Sequence, residues 1–128
     1  MEELIMPIKD ESEVNLMNPL IWAYVGDCVY ELYIRTKLIN ETKLKVHELH
    51  VQAISYVKAS AQAEFLRNIE YKLTDEEKDI VRRTRNTQNH HIPKNANPAD
   101  YAYATAFEGL IGYLYLCKRI NRIKEILK

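Results

Sequence analysis

An all-helical, single-domain protein is what this sequence predicts, and three observations carry that expectation. Only three glycines and four prolines occur in 128 residues, and an apolar–polar alternation of strand type is nowhere sustained. Asn18-Pro19 and Asn97-Pro98 each stand before a long apolar stretch. That is the pattern of an N-cap followed by proline at the first helical position, where the missing N–H would have no partner anyway. Thr74-Asp75-Glu76-Glu77 has the spacing of a capping box, in which threonine and glutamate side chains satisfy each other's backbone N–H groups. The length falls within the range of roughly 100–200 residues for one domain. Residues 1–128 are therefore read as one unit, with 1–14 as a loosely ordered acidic segment.

Five helical regions follow in order, or up to seven helices if some divide. The first opens at Asn18 and runs to about Ile39. The second, Lys43 to about Ile69, places apolar residues at Leu44, Leu49, Ile54, Val57, Ala61 and Phe65 and is expected to bend or break. The third starts at Thr74, carries Ile80 and Val81, and ends near Arg85. A polar loop from Asn86 to Asn97 leads into a fourth helix reaching about Cys117, and Asn121 to Leu127 closes the chain. Leu20–Val25 and Leu110–Leu116 are apolar around the whole helix circumference. A helix of that kind is either central or a subunit interface.

Composition excludes several classes. Hydrophobic residues make up 47% and charged residues 28%, ordinary values for a globular chain with a core of its own. Cys28 and Cys117 sit in apolar runs without neighbouring ligands and read as reduced core residues. No secretory signal pattern is seen at the N-terminus, and no apolar run approaches the roughly 20 residues of a membrane span. A cytoplasmic protein without membrane contact is expected. The net charge is zero, yet residues 1–17 hold five acids, whereas 81–97 hold Arg82, Arg83, Arg85 and Lys94 and no acid. Opposite patches, rather than the total, decide what such a chain binds.

A carboxylate stands next to each all-apolar stretch, Asp27 in the first helix and Glu108 in the fourth. Such groups are costly in an apolar interior unless paired or bound to a metal. Gly26, Gly109 and Gly112 lie beside them, and mid-helix glycine costs about 1 kcal/mol against alanine. Gly26 and Gly109 are expected to let the two backbones approach and bring the acids together. Two hard oxygen ligands suit Mg²⁺. Glu31, one turn after Asp27, would be a further ligand, would orient a water, or would be a plain exposed charge. Periodicity alone leaves open that Asp27 and Glu108 form buried ion pairs with Arg35 or Arg119.

Tyr24-Val25-Gly26-Asp27-Cys28-Val29-Tyr30-Glu31-Leu32 resembles the signature helix of ribonuclease III nuclease domains. Ala104-Thr105-Ala106-Phe107-Glu108-Gly109-Leu110-Ile111-Gly112 resembles the second acidic helix of that family. Val57–Ala63 and Arg82–Asn86 extend the likeness, which covers about Asn18 to Leu127 and is closest to the Mini-ribonuclease III branch, a nuclease domain without a double-stranded-RNA-binding domain. The resemblance implies an all-helical homodimer, joined through the signature helix, that cuts double-stranded RNA with Mg²⁺ (Mn²⁺ able to substitute). Asp27 and Glu108 would hold the metal, and the products would carry 5′-phosphate and 3′-hydroxyl ends. It further implies maturation of bacterial 23S ribosomal RNA precursor, with a ribosomal protein as a candidate accessory partner. The family's longer members carry additional acids where this chain has Leu20, Ala23 and Thr105, losses that the Mini branch shares.

Duplex RNA is gripped mainly through phosphates and minor-groove 2′-hydroxyls. Arg82, Arg83, Arg85 and Lys94 are the expected phosphate contacts, and Asn86, Gln88 and Asn95 are suited to riboses or base edges. Lys43, Lys45, His47 and His50 form a second candidate surface, while His90 and His91 fall in the basic loop. The His47–His50 spacing is one residue short of the metalloprotease pattern, so these read as surface residues. Trp22 and Tyr24 are the expected dimer contacts. The rival reading is a catalytically silent, ribosome-associated RNA-binding adaptor. A purely structural dimerisation domain would not account for the acid-free basic stretch.

Overall fold

A computed structural model describes residues 10–87 and 92–128. Its helices are α1 Glu11–Leu16, α2 Pro19–Glu41, α3 Val46–Val57, α4 Ala59–Ile69, α5 Asp75–Asn86, α6 Pro98–Leu116 and α7 Ile120–Leu127, with a 3₁₀ turn at Glu70–Lys72. The described residues contain no strand, and none of their helices is long and apolar enough to cross a membrane.

The start signals act as their chemistry requires. The Asn18 side chain accepts from the Leu20 N–H, and Asn97 accepts from Ala99 and Asp100. At α5, Thr74 and Glu77 form the reciprocal capping box. The break expected within 43–69 falls at Lys58, which ends α3 and starts α4 with extended backbone angles. At the end of α6, Lys118 adopts a positive φ of 61°, a turn conformation that glycine usually supplies.

Helix α6 is the central element, packed by α2, α4 and α5, with α1 and α7 at its far end. Phe107, Leu110, Ile111 and Leu114 are wholly buried. The all-apolar character of α6 is thus explained within one subunit. The same is not true of α2, where Trp22, Tyr30, Ile34 and Leu38 face the core while Ile21, Tyr24 and Leu32 remain exposed.

Several expectations change here. Trp22 is fully buried, edge-on to Tyr113 at 5.1 Å, and donates from Nε1 to the Val14 carbonyl at 2.8 Å. It is a core residue and is withdrawn as a dimer contact. The reason is helical phase: at about 100° per residue, positions 22 and 24 lie on opposite sides of the helix. Residues 10–14 are not loose, because Asp10 caps α1 and Val14 is wholly buried; residues 1–9 of that acidic segment lie outside the described residues. Cys28 is exposed and Cys117 half-buried, both free thiols, so Cys28 is not a core residue.

The glycine reading is half right. A Cβ on Gly26 would fall 1.7 Å from the Glu108 carbonyl oxygen, and one on Gly112 would fall 1.8 Å from that of Trp22. Gly26 and Gly112 therefore make the α2–α6 contact, with the numbering running in opposite directions across it. Gly109 instead faces α5, where its absent Cβ makes room for the Thr84 side chain at 2.6 Å.

Candidate active site

The close crossing of α2 and α6 brings Asp27 and Glu108 to one open pocket of about 280 Å³. Val57 and Ala59 at the α3–α4 junction, Gln62 of α4, and Tyr101, Ala104 and Thr105 of α6 complete its lining. The two acids do not share one environment. Asp27 is an exposed residue, which corrects the expectation that both are interior groups, while Glu108 is mostly enclosed.

Burial is the largest effect on Glu108 and raises its carboxyl from the ordinary 4.5 to about 8. The nearby Asp27 charge raises it further, and so does a hydrogen bond that protonated Glu108 donates to Asp27. A hydrogen bond from Gln62 acts in the opposite sense. Desolvation of a mostly enclosed carboxyl dominates, and the like charge of Asp27 adds to it.

The two arginines expected to neutralise them are engaged elsewhere. Arg35 pairs with Glu31 at 3.3 Å, and Arg119 pairs with Glu11 and Glu76. The ion-pair explanation for Asp27 and Glu108 is thereby removed. Glu31 itself is ion-paired on α2 and does not line the pocket, which withdraws it as a ligand.

The basic segment divides. Arg83 donates to the Asn15 carbonyl at 2.6 Å and to Asn15 Oδ1 at 3.2 Å, with its guanidinium 4.9 Å above the Trp22 ring. It ties α5 to α1 and is withdrawn as a phosphate contact. Arg82 is exposed and pairs with Asp79. Arg85 is exposed and reaches the Tyr103 hydroxyl at 3.4 Å. Asn86, Lys94 and Asn95 are exposed. Gln88, His90 and His91 lie outside the described residues. His47 and His50 are exposed, and among the described residues no group of three or more metal-ligating side chains occurs.

Sequence reading assigned no role to Gln62, although it is only 2% exposed. Its signal was phase: Gln62, Leu66 and Ile69 fall on the buried stripe of α4, and a glutamine there needs a buried partner.

A fold of this kind brings two carboxylates, on helices in backbone contact, to one open pocket. The ribonuclease III domain matches residues 20–119, and the chain belongs to the ribonuclease III family and is an endoribonuclease. Its relatives put it in the Mini-ribonuclease III branch. The chain is 44% identical to a Mini-ribonuclease 3 of Thermoanaerobacter, covering all of this chain and 94% of the relative. It is 39% identical to the Mini-ribonuclease 3 of Staphylococcus aureus, over 95% and 92% of the two chains. A crystal structure of a Fusobacterium nucleatum protein superposes with a TM-score of 0.80 at 29% identity, over 89% and 91% of the chains.

Proposed function

We propose that the chain hydrolyses phosphodiester bonds of double-stranded RNA as a homodimer, using Mg²⁺ (or Mn²⁺) held by Asp27 and Glu108. The natural substrate in this reading is 23S ribosomal RNA precursor in the cytoplasm, cut to 5′-phosphate and 3′-hydroxyl ends, with a ribosomal protein as candidate helper. One observation carries it: the two carboxylates meet in an open pocket with no basic side chain beside them among the described residues.

That arrangement fits a divalent cation. The donors are hard carboxylate oxygens on helices, which suit Mg²⁺, and among the described residues no basic side chain lines the pocket they share. When bound, the ion would supply Lewis-acid stabilisation of the phosphate and a more acidic water. The chain's own part is positional. Gly26 and Gly112 fix the spacing of α2 and α6, and with it the two carboxylates. The openness at Asp27 leaves room for a phosphodiester. Arg82, Arg85 and Lys94 are suited to flanking phosphates, and Asn86 and Asn95 to 2′-hydroxyls. The exposed stripe Ile21, Tyr24 and Leu32 on α2 supports pairing through that helix.

The test is incubation of labelled RNA duplex with Mg²⁺, beside an Asp27→Asn variant and a chelator control. Cleavage by the wild type, lost in both controls, is expected. Binding without cleavage would favour the adaptor.

A further inference from the structure

Three polar side chains are buried in the described core: Gln62, Glu77 and Thr84. Two have structural explanations. Glu77 completes the α5 capping box and accepts from Arg122 at 2.7 Å. Thr84 donates to the Ile80 carbonyl and fills the space opposite Gly109. Gln62 has no such structural role. It is only 2% exposed and lines the pocket from α4 beside Glu108 and Asp27, near enough to act on the Glu108 carboxyl and lower it against the effects that raise it.

We propose that Gln62 is a positioning residue for Glu108: its amide N–H, enclosed where α4 packs on α6, donates to the Glu108 carboxylate and fixes the direction in which that carboxylate meets a divalent cation. A glutamate side chain has three rotatable bonds, and a carboxylate that swings freely spends little time aimed at one point. One buried donor selects an orientation and leaves the other carboxylate lone pairs directed into the pocket. An amide suits the task because it donates without adding a charge to a site that already holds two acids. Glutamate at position 62 would repel Glu108, and an apolar residue would leave its oxygen unbonded. Outer-shell partners of this kind typically contribute about 10–100-fold to metal affinity or activity. The proposal rests on the reading of Glu108 as a metal ligand.

The experiment measures Mn²⁺ binding to the full chain, without RNA, by electron paramagnetic resonance of the free ion. Wild type, Gln62→Met, Glu108→Gln and the double variant are compared, with the Mg²⁺ dependence of duplex cleavage measured in parallel. Methionine keeps the length and lacks the donor. Gln62→Met is expected to weaken Mn²⁺ binding about tenfold or more and to raise the Mg²⁺ needed for half-maximal cleavage in step. Because Gln62 acts through Glu108, the double variant is expected to bind no more weakly than Glu108→Gln alone. Unchanged affinity in Gln62→Met overturns the proposal, and so do losses that multiply in the double variant. Unchanged affinity in Glu108→Gln removes Glu108 as a ligand and the proposal with it. Should Gln62→Met not fold, Gln62→Asn, one carbon short of the carboxylate, is expected to show the same weakening, and wild-type affinity there overturns the proposal.

Discussion

Replacing Glu108 by glutamine should make the metal-free protein more stable at pH 8, and the gain should vanish in acid. Burial, followed by the Asp27 charge, raises the Glu108 carboxyl from 4.5 to about 8. Between those values the folded protein keeps a proton that the unfolded chain has released. Stability therefore falls as pH rises from 4.5 towards 8 and levels off above it. Holding a proton across one pH unit in this way costs about 1.36 kcal/mol, so the whole span is worth at most about 5 kcal/mol. For a domain of this size 1 kcal/mol moves the melting temperature by about 3–5 °C. Melting followed by circular dichroism in chelator, at intervals from pH 5 to 8, should show the Glu108→Gln curve rising above wild type by about 10 °C or more at the upper end. Mn²⁺ added at pH 8 should stabilise the wild type and have much less effect on the variant. Wild-type and variant melting temperatures that run parallel across the whole range would refute the reasoning.

Further outcomes follow from packing. Gly26→Ala should destabilise by about 3 kcal/mol or prevent folding, because its Cβ meets the Glu108 backbone, whereas Gly109→Ala meets only the Thr84 side chain and should cost about 1–2 kcal/mol; denaturant titration compares them. Lys118→Gly should stabilise by about 1 kcal/mol by relieving the positive φ, read in the same titration. Under the proposed pairing through α2, Tyr24→Arg, at a residue 80% exposed on that helix, should shift sedimentation from dimer to monomer and weaken association about 30-fold or more, the scale of an interface tyrosine; a dimer that survives the change would place the interface elsewhere, and a monomeric wild type would remove the pairing. Arg83→Ala should lower the melting temperature while leaving the salt dependence of RNA binding intact, whereas Arg82→Ala and Arg85→Ala should flatten that dependence through fewer phosphate contacts.

How far the sequence disclosed this molecule depended on the range of each interaction. Caps are local, so Asn18, Thr74 and Asn97 marked their helices without knowledge of the fold. The union of Asp27 with Glu108 was also legible, since two acids set beside all-apolar stretches and flanked by the glycines demand a shared explanation. The partner of each glycine was not, because Gly109 and Gly112 lie less than one turn apart, and only the rotation of α6 decides which faces α2 and which faces Thr84. Arg83 was misread for a similar reason: its carbonyl partner is Asn15, 68 positions away. Trp22 is the reverse case. Its opposition to Tyr24 on the helix was available from position alone, and only one of the two could face a neighbour.

Trp22 is also the chain's single tryptophan, and its surroundings make it an optical reporter of the whole assembly. Its ring touches α6 through Tyr113, α5 through the Arg83 guanidinium and α1 through the Val14 carbonyl. Fluorescence excited at the red edge of protein absorption therefore arises from one indole at the junction of four helices. Detachment of α1 would hydrate the ring, release its N–H and move the emission to longer wavelength before the central helices part. A folding experiment on this protein thus carries an intrinsic timer for the docking of its first helix, with no label attached.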